Sequence, residues 1–258
     1  MKVDFLEPPD RLILSADLKP DEGGVNGLRR RILALAESVA DTGVTFKINS
    51  ALRVCGYSLI KDLHDRGMKV MADLKLNDIP ETMGTDASML VEYRPEFLTL
   101  MCSAGIDGLK KVRDTLRTTQ LLGVSILTSL DEEECQAIFS CSIKAGVLHF
   151  ARMAQLADLD GLVSSGAELA VLKRHQELTL SLNTPAIRPQ WAMIRWDDQE
   201  KARVMTPKQA IQDGADRIII GRPILEAKTN NHGFPQTPRE AIEKTLDEIR
   251  EAVASCDC

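Results

Sequence analysis

The sequence predicts an α/β fold, a (β/α)8 TIM barrel formed as a single domain over residues 1–258. Three observations carry that expectation. Eight short apolar runs alternate with amphipathic segments from end to end, matching eight strand–helix units in about 250 residues. The first strand-to-helix turn reads Asp17-Leu18-Lys19-Pro20 and lacks the G-x-G-x-x-G turn of a doubly wound open sheet. Hydrophobic residues at 44% and charged residues at 27% supply an ordinary core and surface, which excludes disorder, collagen and coiled coil as the main architecture.

Taken in order, Leu12 to Ala16 is an apolar run that stops at Asp17 and reads as the first strand. Leu28, Ile32, Leu35 and Val39 then fall on one helical face. Val44–Ile48 is the second strand, and Leu52, Leu59 and Leu63 predict one helix ending near Gly67. Lys69–Leu74 is the third strand, and Pro80 opens the next helix, where its missing N–H costs nothing. Glu96–Met101 is a strand followed by a helix over 105–117, and Leu121–Leu127 a strand followed by a helix over 143–157. Gly161–Ser164 is the sixth strand with a helix over 167–175, and Leu178–Leu182 the seventh. Thr206-Pro207-Lys208-Gln209 has the N-cap, N1 proline and N3 glutamine of a capping box. Arg217–Ile220 is the eighth strand, and Ile242, Leu246, Ile249 and Val253 form the last helical face.

The charge balance, 32 Lys+Arg against 38 Asp+Glu, gives a net charge of −6 and argues against a nucleic-acid or anionic-membrane partner. The N-terminal apolar run is broken by Asp10, Arg11 and Asp17, so neither a signal peptide nor a membrane span is expected. Only Cys256 and Cys258 of the six cysteines are closely spaced, with no further ligands at zinc-site spacing. No metal, and reduced thiols in a cytoplasmic protein, are the expectation.

The densest chemical feature is Asp73-Leu74-Lys75-Leu76-Asn77-Asp78-Ile79-Pro80. Asp73 and Lys75, two apart at a strand end, point to one face, which in a barrel is the lumen at its active end. A lysine flanked by carboxylates stays protonated and can serve as a positioned proton donor; an inward ion pair without chemistry fits the same spacing. Asp17, Lys47, Asp73 and Lys75 would meet at one rim as alternating charges, a grouping that is costly unless it has a use. Gly221-Arg222, after the eighth strand, lies where barrels commonly hold phosphate, and Arg188 in the long segment 184–204 could close over the same group. That segment holds both tryptophans and is long enough for a functional lid.

Asp73-x-Lys75-x-x-Asp78-Ile79-Pro80 resembles the signature of the orotidine 5′-phosphate decarboxylase family. Supporting segments follow in family order: Ser15-Ala16-Asp17, Phe46-Lys47, Leu127-Thr128-Ser129, Thr184-Pro185-Ala186-Ile187-Arg188-Pro189, Arg203 to Pro207, and Ile220-Gly221-Arg222-Pro223. Ile79-Pro80 separates the pattern from related sugar-phosphate decarboxylases that share only Asp-x-Lys-x-x-Asp. Ala186 stands where the family has glycine, Asn49 where glycine usually follows the strand-two lysine, and Cys102 near a frequent histidine.

The resemblance implies a homodimer that needs no cofactor or metal and converts orotidine 5′-phosphate to UMP and carbon dioxide in de novo pyrimidine biosynthesis. By the same resemblance, Asp17 and Lys47 contact the ribose, Asp73 lies beside the substrate carboxylate, and Lys75 protonates C6. Asp78, with Ile79 and Thr82, reaches the neighbouring subunit's site. Thr128 touches the pyrimidine, while Arg188, Gln199, Gly221 and Arg222 hold the phosphate. Two other readings stay open: a metal-dependent sugar-phosphate decarboxylase or aldolase on the same barrel, and a non-catalytic nucleotide-binding protein.

Overall fold

Eight parallel strands close in chain order into a barrel: β1 (Leu12–Ser15), β2 (Thr45–Ile48), β3 (Lys69–Leu76), β4 (Phe97–Met101), β5 (Gln120–Val124), β6 (Gly161–Val163), β7 (Ser181–Thr184) and β8 (Arg217–Ile220). The computed structural model describes residues 6–195, 205–227 and 235–256. The (β/α)8 expectation is met. Strand alternation sorts the side chains into two cores. Ile13, Met71, Phe97, Leu122 and Ile219 meet in the lumen, while Leu14, Phe46, Ile48, Ala72, Leu98 and Ile218 face the surrounding helices. Apart from Ala72, each of these large side chains contributes about 1.5–3 kcal/mol by leaving water.

Among the described residues the helices are α1 (Gly24–Val39), α2 (Ser50–Cys55), α3 (Ser58–His64), α4 (Pro80–Leu90), α5 (Ile106–Thr115), α6 (Glu132–Phe139), α7 (Ile143–Leu156), α8 (Leu169–Lys173), α9 (Pro207–Gln212), α10 (Arg222–Leu225) and α11 (Pro238–Cys256). The capping box of α9 forms as its sequence suggests, with the Thr206 hydroxyl accepting from Gln209 N–H. The single helix expected through Leu52, Leu59 and Leu63 is two, α2 and α3. Gly56, at φ 77°, ends α2 by donating its N–H to Leu52 O at 3.0 Å. The α6 helix is an element the apolar pattern does not predict; Asp131 and Glu134 form its capping box. The 167–175 helix is a 3-10 turn, Gly166–Glu168, followed by α8.

Strand β7 lies at Ser181–Thr184, not at 178–182. Leu178 belongs to a turn, its N–H donating to His175 O. At the opposite end of the barrel from the site, the acids preceding β4, β6 and β8 hold the adjacent strands. Val70 N–H donates to Glu96 at 2.6 Å, Leu121 N–H to Asp160 at 2.7 Å and Leu182 N–H to Asp216 at 2.7 Å. That end is devoted to stability, leaving the C-terminal ends of the strands for chemistry.

Candidate active site

The strand ends surround a cavity of about 460 Å3, a volume suited to a nucleotide-sized ligand. Asp73 is its electrostatic centre, with only 4% of its surface exposed. Its carboxylate accepts from Lys75 Nζ at 2.7 Å and Thr99 Oγ1 at 2.8 Å on Oδ1, and from Lys47 Nζ at 2.9 Å and Asn49 Nδ2 at 3.4 Å on Oδ2. Lys47 Nζ also donates to Asp17 Oδ2 at 3.1 Å, and the Ser15 hydroxyl donates to the same oxygen at 2.6 Å. The alternating row Asp17–Lys47–Asp73–Lys75 is thus one continuous ion-paired chain. Burial pushes the Asp73 carboxyl up, but the charges and hydrogen bonds of Lys47 and Lys75 outweigh it and hold the group below its usual 3.8.

The backbone that aims these groups is not a regular strand. Ala72 pairs with Leu98 while Leu76 pairs with Leu100, so β3 bulges between them. Lys75 sits in the bulge at φ 50°, the left-handed region. Its N–H donates to Thr99 Oγ1 at 2.9 Å, off the strand ladder. Leu74 and Leu76 still pack outward among the helices, as strand alternation predicts. Thr99 therefore touches both the main chain of Lys75 and the carboxylate of Asp73. Sequence reasoning passed over it; the available signal was a hydroxyl at an inward position of β4, between the outward Leu98 and Leu100.

The same cavity is lined by Thr128, after β5, and by the residues expected to meet phosphate: Arg188 after β7, and Gly221 and Arg222 after β8. Gly221 sits at a close approach of two strands. A Cβ there would stand 3.3 Å from Ser15 Cβ and 3.4 Å from Ser15 O, pressing the end of β8 against β1. Ala186 has φ 62°, the conformation that glycine takes without strain. Gln199 lies outside the described residues, as does Cys258.

Asp78, Ile79 and Thr82 do not line this cavity. Asp78 is exposed, and its carboxylate accepts from Ile79 N–H at 2.7 Å. Ile79 is 66% exposed, a large apolar side chain left in water. Cys102 is fully buried, and burial pushes its thiol up to about 12, so it packs as an uncharged side chain. Among the described residues no group of three or more His, Cys, Asp or Glu is placed to hold a metal ion. No described helix is long and apolar enough to cross a membrane.

Comparison with known proteins agrees with this geometry. The family described as Orotidine 5′-phosphate decarboxylase / HUMPS matches residues 10–232. Over 250 residues the chain is 33% identical to the orotidine 5′-phosphate decarboxylase of Methylococcus capsulatus, covering 95% of this chain and 94% of that protein. The same enzyme of Dictyoglomus turgidum is 32% identical over 238 residues, covering 88% and 93%. The crystal structure of orotidine 5′-phosphate decarboxylase from Lactobacillus acidophilus superposes with a TM-score of 0.74 at 26% identity, over 93% of this chain and 99% of that one. With Asp17, Lys47, Asp73 and Lys75 gathered at one cavity and a family match spanning most of its length, the chain belongs to the orotidine 5′-phosphate decarboxylase / HUMPS family.

Proposed function

We propose that this chain is an orotidine 5′-phosphate decarboxylase, a cofactor-independent carboxy-lyase of de novo pyrimidine biosynthesis that works in the cytoplasm as a homodimer and releases UMP and carbon dioxide. The observation that carries the reading is the Lys75 ammonium, held 2.7 Å from a buried carboxylate at the wall of a nucleotide-sized cavity.

Loss of carbon dioxide breaks the C6–carboxylate bond and leaves its electron pair on C6, in the plane of the pyrimidine, where resonance offers little relief. Stabilisation has to come from fixed charge. Lys75 supplies a cation that Asp73 orients before reaction, so little reorganisation accompanies the developing carbanion. A proton passes from Lys75 Nζ to C6, and solvent reprotonates the amine after product leaves. Asp73 faces the substrate carboxylate, an opposition relieved as carbon dioxide departs. Asp17 and Lys47 hold the ribose, Thr128 the pyrimidine, and Arg188, Gln199, Gly221 and Arg222 the phosphate. Binding energy at the phosphate, far from C6, helps to assemble the reacting geometry. Asp78, Ile79 and Thr82 serve the neighbouring subunit's site, which accounts for an exposed Ile79 outside the cavity of its own chain.

The donor set favours this reading over a metal-dependent relative. Both oxygens of Asp73 are taken by protein donors, among them the ammonium groups of Lys47 and Lys75. The test is the loss of orotidine 5′-phosphate absorbance with a chelator present. Activity should persist in chelator, and Lys75→Ala should lose about 1,000-fold or more, roughly 4 kcal/mol of transition-state stabilisation, while still binding UMP. Activity abolished by chelator, or a Lys75→Ala chain within tenfold of the unaltered one, would overturn the proposal.

A further inference from the structure

The stretch that carries Arg188 to the cavity is tied down on both sides. Ile187 bridges to Met205, and Arg188 N–H donates to Met205 O at 2.9 Å. Immediately beyond, Gln190–Arg195 forms a 3-10 helix whose first N–H groups have no partner within their own turn. Glu248, from α11 on the outside of the barrel, supplies it. Gln190 N–H is shared between Glu248 Oε1 at 2.9 Å and Oε2 at 3.1 Å, and the Trp191 backbone bonds to the same carboxylate. This partly buried carboxyl pays for its position: burial pushes it above its usual 4.5 despite the bonds that lower it.

We infer that Glu248 is a positioning residue for the proposed reaction: from the last helix it fixes the start of the 190–195 turn, and through it the place of Arg188 at the phosphate end of the cavity. The inference rests on the reading of Arg188 as a phosphate contact. A clamp of one N–H by both carboxylate oxygens leaves the turn little freedom to slide, and Arg188 is only two residues away. Displacement of a binding group by about 1 Å can cost on the order of 100-fold in rate. A plain stabilising cap, by contrast, would affect every substrate alike.

The experiment is a double-mutant cycle on the full-length enzyme with Glu248→Ala and Arg188→Ala, assayed with orotidine 5′-phosphate and with the nucleoside orotidine. Glu248→Ala should lower kcat/KM for orotidine 5′-phosphate about 10- to 100-fold, mainly through KM, and change the orotidine rate by less than about twofold. In the Arg188→Ala background the same change should add less than about twofold. If the alanine chain does not fold, the cycle runs with Glu248→Gln, which keeps one acceptor oxygen; its loss should be smaller and should likewise vanish without Arg188. Equal losses with both substrates, or additive losses in the cycle, would show a structural cap only and overturn the inference. If Arg188→Ala is costly and Glu248→Ala is not, the inference alone falls. If Arg188→Ala costs nothing, the phosphate reading falls and takes the inference with it.

Discussion

Replacing Asp73 by asparagine should show how much the charge chain contributes to folding. The substitution keeps the shape and removes the negative charge between two ammonium groups, Lys47 at 2.9 Å and Lys75 at 2.7 Å. Removing one partner from a buried ion pair costs about 3–5 kcal/mol, because the remaining charge is left uncompensated. Two features move the expectation to the low end. Lys47 keeps Asp17 at 3.1 Å, and the Lys75 side chain is 30% exposed, so water can solvate it. The expected loss is therefore about 3 kcal/mol, a fall in Tm of roughly 6–12 °C for a chain of this size. Its pH dependence has a definite sign. An acid held below its unfolded pKa contributes stability above that pKa and loses it as pH falls through the folded value. The gap between the unaltered and Asp73→Asn proteins should thus stay constant from about pH 8 to about pH 5 and close below about pH 4. Guanidinium unfolding at a series of pH values measures it. A loss under about 1 kcal/mol, or a gap that widens in acid, would refute the compensation argument.

Three further outcomes are expected. Arg222→Ala should raise KM for orotidine 5′-phosphate strongly and leave turnover of orotidine nearly unchanged; equal losses with both would refute a phosphate role. Ala186→Gly should stabilise the fold by about 0.5–1 kcal/mol in chemical denaturation, since alanine at φ 62° costs about 1–2 kcal/mol and glycine's extra freedom when unfolded returns only part of it; a destabilised variant would show that the conformation is unstrained. Lys75→Ala and Asp78→Asn chains, each nearly inactive alone, should recover about a quarter of full activity on subunit exchange at equal concentrations, because half the dimers are mixed and each carries one intact site; mixed dimers, confirmed by mass, that stay at parental activity would exclude a shared site.

Much of the barrel was legible because outward-facing strand residues are apolar and turn residues punctuate them. The expected eighth strand is found at the residues read for it, and the first, second and fourth within a residue or so, since Leu14, Phe46, Leu98 and Ile218 all bury against helices. The seventh strand was misplaced for a physical reason. Leu178 to Leu182 is the more hydrophobic stretch, whereas three of the four residues of the strand, Ser181, Asn183 and Thr184, are polar and still fully or almost fully buried. A barrel lumen accepts polar side chains that bond to strand carbonyls, as Asn183 does to Leu162 O at 3.2 Å, and apolar patterning cannot see this. The site was legible where it consisted of charges at strand ends. It was hidden where the chain uses backbone: the bulge in β3, the left-handed Lys75 and the carboxylate of Glu248 on backbone N–H groups leave no spacing signature.

Thr99 shows how the fold turns these local departures into chemistry. A lysine held at φ 50° is strained, and such strain persists only where surrounding structure over-determines it. The Thr99 hydroxyl does so with one atom, accepting from Lys75 N–H at 2.9 Å and donating to Asp73 Oδ1 at 2.8 Å. Main-chain position and carboxylate orientation are thereby tied to the same strand, β4, which is paired on both sides within the closed barrel. Lys75 Nζ is then constrained from both ends, by its backbone and by its counterion. A flexible lysine would lose several rotors on meeting a carbanion; the ion pair with Asp73 restricts this one already in the folded chain, at the expense of stability that the apolar lumen and the acid-capped strand starts offset. If Lys75 is the proton donor proposed above, the entropic cost of orienting it is met in the folding of the barrel, before any ligand enters the cavity.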